Sequence, residues 1–411
     1  MIYALWLDEK KIDEVTLPSQ LPIVTILGPH YKEGAVVARW VRNIEKIDYP
    51  QDKLEVLLLI RRDDLDTLSG LEEVRRPVNF RIIWLDEKDY GSKPAALNVG
   101  LDQAKGTFVA IYDSENGPAP DQIKKQVAAL CSSPEYVVAA QSVPVVSNWK
   151  TKHWWQKVFP KIEAAEYSSY YSLVNRALLS LGLLTPLPGN SIMFRKDALM
   201  AVGKYDRYNK TEDADIAVRL ARRGWKVVFV QSETTEESPT SYKDWEGRRR
   251  RWTHGFMQTW LVPMRNPIRL WKDLGTANFA MFHLIIGGST FVQLVNPILW
   301  LMTILYWTTG SEFIKELYPW PVLYLAVTTT IVGVFLVTFY SMIIGVLRRE
   351  MYSNIFLPYF ALIYNLFISF AAYRAVWDLL MKAEWHKTSH VVEEELIPIT
   401  AFNSASRDAA G

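Results

Sequence analysis

Charge is missing from long stretches of the C-terminal third of this 411-residue chain. Residues 274–311, 317–347 and 351–373 contain no Asp, Glu, Lys or Arg, whereas residues 1–272 carry charge throughout. The mean hydropathy is close to zero because two unlike parts are averaged. This pattern excludes a wholly soluble protein as the leading interpretation and predicts a charged soluble part joined to an apolar membrane part near residue 270.

The sequence also has a single cysteine, a small net charge and only a short apolar patch within residues 1–11. The single cysteine, Cys131, excludes an intrachain disulfide and fits a reducing compartment, so we expect a cytosolic soluble part. A formal net charge of +2, with no zinc-type cysteine spacing, excludes nucleic acid as an expected partner. Residues 1–11 are too short and too acidic for a signal peptide, so membrane insertion is expected from the C-terminal third.

The N-terminal half alternates between two kinds of apolar pattern. Continuous apolar runs predict buried strands of a parallel sheet, and apolar residues at helical spacing predict the helices between them. The predicted strands are 21–27, 54–60, 81–85, 108–112 and 136–140, and the predicted helices are 34–46, 93–104 and 121–130. This repetition is typical of an α/β nucleotide-binding layer, in which ligands bind at the carboxyl ends of the strands.

The next segments are less regular. An aromatic-rich amphipathic stretch covers 149–180 and a loop covers 183–188. Helical spacing over 213–223 and 243–260 predicts two helices, with a strand over 226–230 between them.

The apolar part predicts two membrane spans, at about 289–307 and 320–345, with 276–286 as an interfacial or short segment separated by Gly287-Gly288. Arg348-Arg349 after the second span indicate a cytosolic end. The stretch 353–381 is expected to lie on or return to the cytosolic face, although a full span is the alternative. The predicted domains are an extension (1–20), a catalytic domain (21–265), a membrane region (266–390) and a tail (391–411).

Four polar motifs stand at the ends of predicted elements. They are Asp63-Asp64 after the second strand, Asp113-Ser-Glu115 after the fourth, Thr211-Glu212-Asp213 opening a helix, and Arg248-Arg-Arg-Arg251-Trp252 before the apolar part. In this order they resemble the inverting family 2 glycosyltransferases of the membrane-embedded, cellulose-synthase-like branch. The resemblance implies an α/β fold of the GT-A type followed by a C-terminal helical membrane region.

The chemistry of nucleotide-sugar transfer suits these residue types. A departing diphosphate is stabilised by a divalent ion on strand-end carboxylates, so Asp113 and Glu115 are the expected ligands of Mg2+ or Mn2+. A solvated acidic turn is the alternative for this triplet. Asp63 and Asp64 are expected to bind the nucleotide, although one of the two also suits a helix N-cap.

The resemblance assigns the remaining roles. It implies that Asp213 is the general base, that Glu212 and Trp252 bind the acceptor, and that Arg251 and Asp113 lie near the nucleotide sugar. Lys93 matches a lysine near the nucleotide, although an exposed lysine starting a helix is common. Asn98 is a weaker match.

Each of two motifs also has a structural explanation. Thr211, Glu212 and Asp213 suit a helix start, with Thr211 as its cap. The run Arg248–Arg250 also fits a basic anchor beside an anionic membrane.

Three departures from the family pattern bear on the acceptor. Arg248 replaces a usual Gln, and Ile192 and Met193 replace polar residues of a loop, which permits a less polar acceptor or only a different packing. The N-terminal spans common in relatives are missing, so a polymer channel would need an oligomer or a partner subunit.

These observations predict a membrane-bound, multi-pass, metal-dependent inverting hexosyltransferase on the cytosolic face. It would pass a hexose, with glucose from UDP-glucose as the first choice, to a polysaccharide or lipid acceptor in β linkage. A glycolipid synthase acting on diacylglycerol or polyprenyl phosphate is the alternative within the enzyme class. A catalytically silent scaffold subunit of a synthase complex is the alternative outside it.

Overall fold

A mixed β-sheet forms the centre of the catalytic half. A computed structural model describes residues 16–86, 91–150, 158–317, 320, 321, 324, 339–348 and 350–381. Its strands are β1 (Val24–His30), β2 (Leu54–Arg61), β3 (Phe80–Leu85), β4 (Phe108–Ile111), β5 (Gly117–Pro118), β6 (Val137–Val146), β7 (Ile192–Arg195) and β8 (Lys226–Glu236). They are ordered β3-β2-β1-β4-β7-β6-β8-β5.

The strand directions correct the prediction of a wholly parallel sheet. Strands β3, β2, β1 and β4 are parallel, as predicted. Strand β7, however, runs antiparallel to both β4 and β6, and β5 is antiparallel to β8. The four residues of β7 are too few to show an alternating pattern, which is why the sequence indicated a loop there.

The helices of the catalytic half are α1 (Gly34–Glu45), α2 (Leu65–Glu72), α3 (Lys93–Gln103), α4 (Gln122–Ser132), α5 (Val158–Ser169), α6 (Arg176–Ser180), α7 (Lys196–Ala201), α8 (Glu212–Ala221) and α9 (Tyr242–Leu261). A π-helical segment, Tyr170–Asn175, joins α5 to α6. Short 3₁₀ turns occur at Gln51–Lys53 and Asn148–Lys150. The aromatic stretch predicted over 149–180 is therefore helical from residue 158, and 151–157 lie outside the described residues.

Two apolar layers hold the sheet between helices. Alternate side chains of β2 point to opposite faces, because successive residues of a strand do so. Leu57 and Leu59 join a core with α3, α7 and α8. Leu58 and Ile60 join a second core in which Trp40 of α1 is fully buried. The result is the three-layer α/β architecture that the repetition predicts, and it places the carboxyl ends of β1, β2 and β4 along one edge.

The C-terminal region is helical. It contains a 3₁₀ turn (Pro263–Arg265), α10 (Pro267–Met281), a π-helical turn (Phe282–Gly287), α11 (Gly288–Thr309), α12 (Glu312–Leu317), α13 (Tyr340–Arg348), 3₁₀ turns at Tyr352–Asn354 and Leu357–Phe360, and α14 (Ala361–Met381). The N-terminus of α10 is capped by Asn266, whose side chain accepts from the Arg269 amide at 3.2 Å.

One helix of the described part, Pro267–Thr309, is long and apolar enough to cross a membrane. It has a kink at Gly275 (φ 71°) and passes through Gly287-Gly288 as a π-helical turn, whereas the sequence indicated a division there. A Cβ on Gly287 would lie 2.5 Å from Nε1 of Trp260, so this glycine permits close packing on α9. Most of the second predicted span, 320–345, lies outside the described residues, as do 1–15 and the tail 391–411.

Candidate active site

Four predicted site residues converge where the strands of the parallel half end. Asp113 follows β4 by two residues, Lys93 is the first residue of α3, and Glu212 and Asp213 open α8. Nζ of Lys93 lies 2.5 Å from Oδ1 of Asp113 and 3.3 Å from Oε1 of Glu212. The structure therefore brings these residues from three distant segments into one cluster, and Lys93 lies in its middle rather than on the open surface.

Asp213 is held tightly against a loop that precedes β7. One carboxylate oxygen, Oδ1, accepts the backbone N–H of Ala214 at 2.8 Å. A Cβ on Gly189 would lie 3.2 Å from the other oxygen, Oδ2, and 3.4 Å from Nζ of Lys93. The carbonyl of Gly189 also accepts from Lys93 at 3.3 Å. Because a side chain at position 189 would crowd both groups, the glycine lets the loop approach them.

Burial and neighbouring charge shift the pKa values of this cluster. Burial raises the pKa of Asp213 to about 7, with help from the negative charge of Glu212 and against the opposing effect of Lys93. Burial also raises the pKa of Asp113, against the charge of Lys93. For Lys93, burial alone would lower the pKa, but Asp113 and Glu212 outweigh it, so its pKa is raised and it stays an ammonium. With a pKa of about 7, Asp213 is close to its titration point near neutral pH.

The acidic turn after β4 fits a metal ion with few protein ligands. Glu115 is close enough to raise the pKa of Asp113 through its charge. Within the described residues, no group of three or more His, Cys, Asp or Glu could hold a metal. Carboxylates are ligands that Mg2+ and Mn2+ accept, and these ions complete their shell with water and substrate phosphate oxygens. The donor set therefore fits an ion bound together with a diphosphate.

Arg251 is the last arginine of the basic run in α9. It is half-buried, and burial lowers its pKa while Glu212, Asp113 and Glu115 act in the opposite direction. It makes no ion pair within the part of the chain that the structure describes. A guanidinium facing this acidic cluster is positioned for an anionic ligand.

The other three arginines of the run are paired inside the protein. Arg248 and Arg249 contact Glu163, Arg249 also contacts Glu166, and Arg250 pairs with Asp378 of α14. These internal pairs contradict the interpretation of Arg248–Arg250 as an anchor for anionic lipid. Trp252 is half-buried, and the guanidiniums of Arg248 and Arg249 lie 5.2 and 4.9 Å from the centroid of its ring.

The two aspartates after β2 have different roles. Asp64 is buried and caps α2, accepting from the Thr67 amide at 3.2 Å and from the Lys32 amide at 2.7 Å. This is the N-cap that the sequence allowed for one of the pair. Asp63 is exposed at the same sheet edge as Asp113, and both of its oxygens accept from Arg61, at 2.9 and 2.6 Å, which lowers its pKa. Asp63 is the member of the pair that faces solvent at this edge of the sheet.

Several weaker expectations also receive a structural explanation. Asn98 exchanges two hydrogen bonds with the backbone of Tyr205, at 2.8 and 2.9 Å, and so joins α3 to the segment before α8. Thr211 occupies the N-cap position of α8, but its side chain makes no capping hydrogen bond. Ile192 and Met193 are buried in β7, so their apolar character serves packing of the sheet.

Two buried glutamates near the site had no functional signal in the sequence. Glu236, at the end of β8, accepts from Asn190 at 2.8 Å, and burial raises its pKa to about 7. Glu163, in α5, is fully buried beneath the arginines of α9. Neither belongs to a recognisable motif, because the partners of each are remote in the chain.

The mixed α/β sheet, with carboxylates where its parallel strands end and a helical C-terminal region, is the fold of a glycosyltransferase of the GT-A type. A model of the family described as "Glycosyltransferase like family 2" matches residues 22–255, and the chain belongs to this family.

Similar proteins act on different sugars and acceptors, according to their names. A beta-monoglucosyldiacylglycerol synthase from Synechocystis sp. is 26% identical over 251 residues, covering 61% of this chain and 50% of that protein. Glucomannan 4-beta-mannosyltransferase 7 from Arabidopsis thaliana is 24% identical over 246 residues, covering 57% of this chain and 42% of that protein. The chain spans about half the length of the curated relatives it matches.

A solved structure supports the fold over nearly the whole chain. A mannosyltransferase from Pyrobaculum calidifontis, in complex with GDP-Man and Mn2+, superposes with a TM-score of 0.58 at 20% identity. The match covers 92% of this chain and 94% of that one. The likeness therefore extends beyond the catalytic half into the helical C-terminal region.

Proposed function

We propose that this protein transfers a hexosyl group from a nucleotide-diphosphate sugar to a membrane-associated acceptor, with inversion to a β-glycosidic bond. The observation that carries the proposal is the cluster of Asp213, Lys93 and Asp113 at the carboxyl ends of the strands. A carboxylate with a pKa of about 7 matches a general base that operates near neutral pH. The remaining members of the cluster are suited to an anionic leaving group.

The transfer follows from these groups. Asp213 takes the proton of the acceptor hydroxyl, and the oxygen attacks the anomeric carbon from the face opposite the diphosphate. The bond to the diphosphate oxygen breaks, and its electron pair leaves with the nucleoside diphosphate. Lys93 and Arg251 offer positive charge to that leaving anion. A divalent ion held by Asp113 and Glu115 would neutralise charge on the diphosphate.

The acceptor is proposed to be a lipid or a growing polysaccharide at the cytosolic membrane face. Support comes from the helix Pro267–Thr309, of which the most apolar window is only 11% buried within the protein. The relatives named above act on diacylglycerol or glucomannan by their names, which supports both acceptor types. Glucose from UDP-glucose is the first donor to test, and a mannosyl donor is the second.

A coupled assay for released nucleoside diphosphate tests the proposal. The full chain in lipid nanodiscs is given UDP-glucose, GDP-mannose or other nucleotide sugars, with Mg2+, Mn2+ or EDTA. We expect metal-dependent release with one donor and a radiolabelled product. A single extractable lipid would identify a glycolipid synthase, and a ladder of oligosaccharides a polysaccharide synthase. A folded, inserted sample that is silent with every donor would favour the scaffold instead.

Substitution of Asp213 tests its assignment as the base. Asp213→Asn is expected to lower transfer by about 10²–10⁴-fold, the usual worth of a general base, and to leave nucleotide binding intact. Asp215→Asn is the matched control, because Asp215 is two residues along α8 and pairs with Arg219 at 2.6 Å. Normal turnover by Asp213→Asn would remove Asp213 from the mechanism.

A further inference from the structure

Two guanidinium groups of the same helix lie close to the ring of Trp252. The Cζ atom of Arg248 is 5.2 Å from the centroid of the Trp252 ring, and that of Arg249 is 4.9 Å from it. The ring also packs against Val346 and Met351 in a small apolar cluster. Cations over an indole face attract it, so the two arginines restrict how the ring can tilt.

One carboxylate holds both arginines. Glu163 of α5 is fully buried; its Oε2 pairs with Arg248 and its Oε1 lies 3.1 Å from Nη2 of Arg249. Its Oε2 also accepts the hydroxyl of Ser238 at 2.6 Å, which ties the loop after β8 to the same point. A buried carboxylate without these partners would be strongly unfavourable, so Glu163 depends on the two arginines. Arg249 has a second partner in Glu166, at 2.5 Å.

Other ion pairs of α9 connect it to α14. Arg250 pairs with Asp378 of α14, and Arg374 of α14 lies 3.3 Å from Glu246 of α9. These contacts join α9 to α14 without touching the Trp252 ring. Among the ion pairs described here, the arginines close to Trp252 are those that contact Glu163, whereas Arg250 and Glu246 pair with α14.

We propose that Glu163 is a positioning residue for acceptor binding, because it holds Arg248 and Arg249 close to the ring of Trp252. The proposal rests on the proposed function and on the expectation, from the sequence resemblance, that Trp252 contacts the acceptor. It also gives a role to Arg248. Glu163 acts through the two arginines and touches no substrate itself.

A spectroscopic test needs no substrate. The near-UV circular dichroism of wild type minus that of Trp252→Phe isolates the band of Trp252. The same difference is then recorded between Glu163→Gln and the double variant Glu163→Gln/Trp252→Phe. We expect the band to weaken or shift in the Glu163→Gln background and to be unchanged in an Asp378→Asn background. An unchanged band in the Glu163→Gln background would overturn the proposal.

A kinetic test connects this geometry to function. The probes are dioleoylglycerol in mixed micelles and a β-1,4-linked glucose tetrasaccharide, with the donor that the wild type uses. We expect Glu163→Gln to raise the acceptor KM about tenfold, within the range of two cation–π contacts, with the donor KM unchanged. Asp378→Asn should leave the acceptor KM as in the wild type. Equal effects on both substrates, or none, would overturn the proposal.

The spectroscopic and kinetic tests distinguish a failure of the proposed acceptors from a failure of the role given to Glu163. A wild type that uses neither probe contradicts the proposed acceptors, while the dichroism still decides the role of Glu163. Where Glu163→Gln does not fold, Arg248→Gln replaces it, because that variant removes one guanidinium and leaves Glu163 paired with Arg249. A Trp252 band unchanged by Arg248→Gln would then count against the proposal.

Discussion

Nζ of Lys93 lies 2.5 Å from Oδ1 of Asp113, which joins the start of α3 to the end of β4. The same ammonium lies 3.3 Å from Oε1 of Glu212 and reaches the start of α8. One cation thus offsets the carboxylates that burial and mutual repulsion make unfavourable. The position of Lys93 controls both the shape and the charge of the candidate site.

Replacement of Lys93 should raise the pKa of Asp213. The charge of Lys93 opposes the upward shift of that pKa, so its loss moves the pKa above about 7. In Lys93→Gln, we expect the acid limb of the rate profile to move to higher pH and the donor KM to rise. The measurement is kcat and donor KM between pH 5 and 9.

Lys124→Gln is the matched control for this prediction. Nζ of Lys124 lies 2.5 Å from Oδ2 of Asp48, and its side chain is 30% exposed against 29% for Lys93. Both pairs have the same length, but the Lys124 pair is remote from the cluster. A rate profile that shifts equally in both variants would contradict the electrostatic role of Lys93.

The wild-type rate should fall on the acidic side of neutrality, because the base becomes protonated there. Asp213, with a pKa raised to about 7, is protonated below that pH and cannot accept the proton of the acceptor. We expect log kcat to fall with a slope of one as pH decreases below about 7. A plot of kcat against pH at saturating donor and acceptor checks this. A profile that stays flat down to pH 5 would show that the base is another group.

Substitutions of Asp63 and Asp64 should have different effects. We expect the change at Asp64 to lower stability and the change at Asp63 to weaken donor binding. Asp64→Ala removes the N-cap of α2 and the hydrogen bond to the Lys32 amide, and we expect a loss of about 0.5–2 kcal/mol of stability. Asp63→Ala removes an exposed carboxylate and should leave stability unchanged while raising the donor KM. Thermal unfolding and donor titration of both variants test this. The assignment is wrong if Asp63→Ala is the less stable of the two.

The helices and strands that have a local periodic pattern could be predicted from the sequence. Helical spacing over 34–46 predicted α1, found at Gly34–Glu45, and the apolar run 54–60 predicted β2, found at Leu54–Arg61. Strand-end carboxylates such as Asp113 were predictable, because ligands in such sheets bind where parallel strands end. Both signals depend on neighbouring residues, which a single sequence displays.

Contacts between remote segments were not predictable. Arg248 and Glu163 are separated by 85 positions, and Arg250 and Asp378 by 128, so nothing near the arginines indicated internal pairing. A run of four basic residues beside an apolar region has the same local appearance whether it faces lipid or a buried carboxylate. Only the packing of α5 and α14 against α9 distinguishes the two.

A methyl group at position 189 should displace the candidate base. The Cβ of Gly189→Ala would lie 3.2 Å from Oδ2 of Asp213 and 3.4 Å from Nζ of Lys93, so at least one of them must move. We expect kcat to fall by up to about tenfold, because the carboxylate must give way by a few tenths of an ångström and a displacement of about 1 Å at a reacting group can cost about 10²-fold. Steady-state kinetics with varied acceptor and donor measure it.

Gly247→Ala is the control for that substitution. A Cβ at position 247 in α9 meets nothing within 4 Å, so this variant should keep wild-type kcat and gain about 0.5–1 kcal/mol of helix stability. Because both substitutions add the same methyl group, the difference between them isolates crowding at Asp213. Wild-type kcat in folded Gly189→Ala would show that the loop before β7 does not position the base.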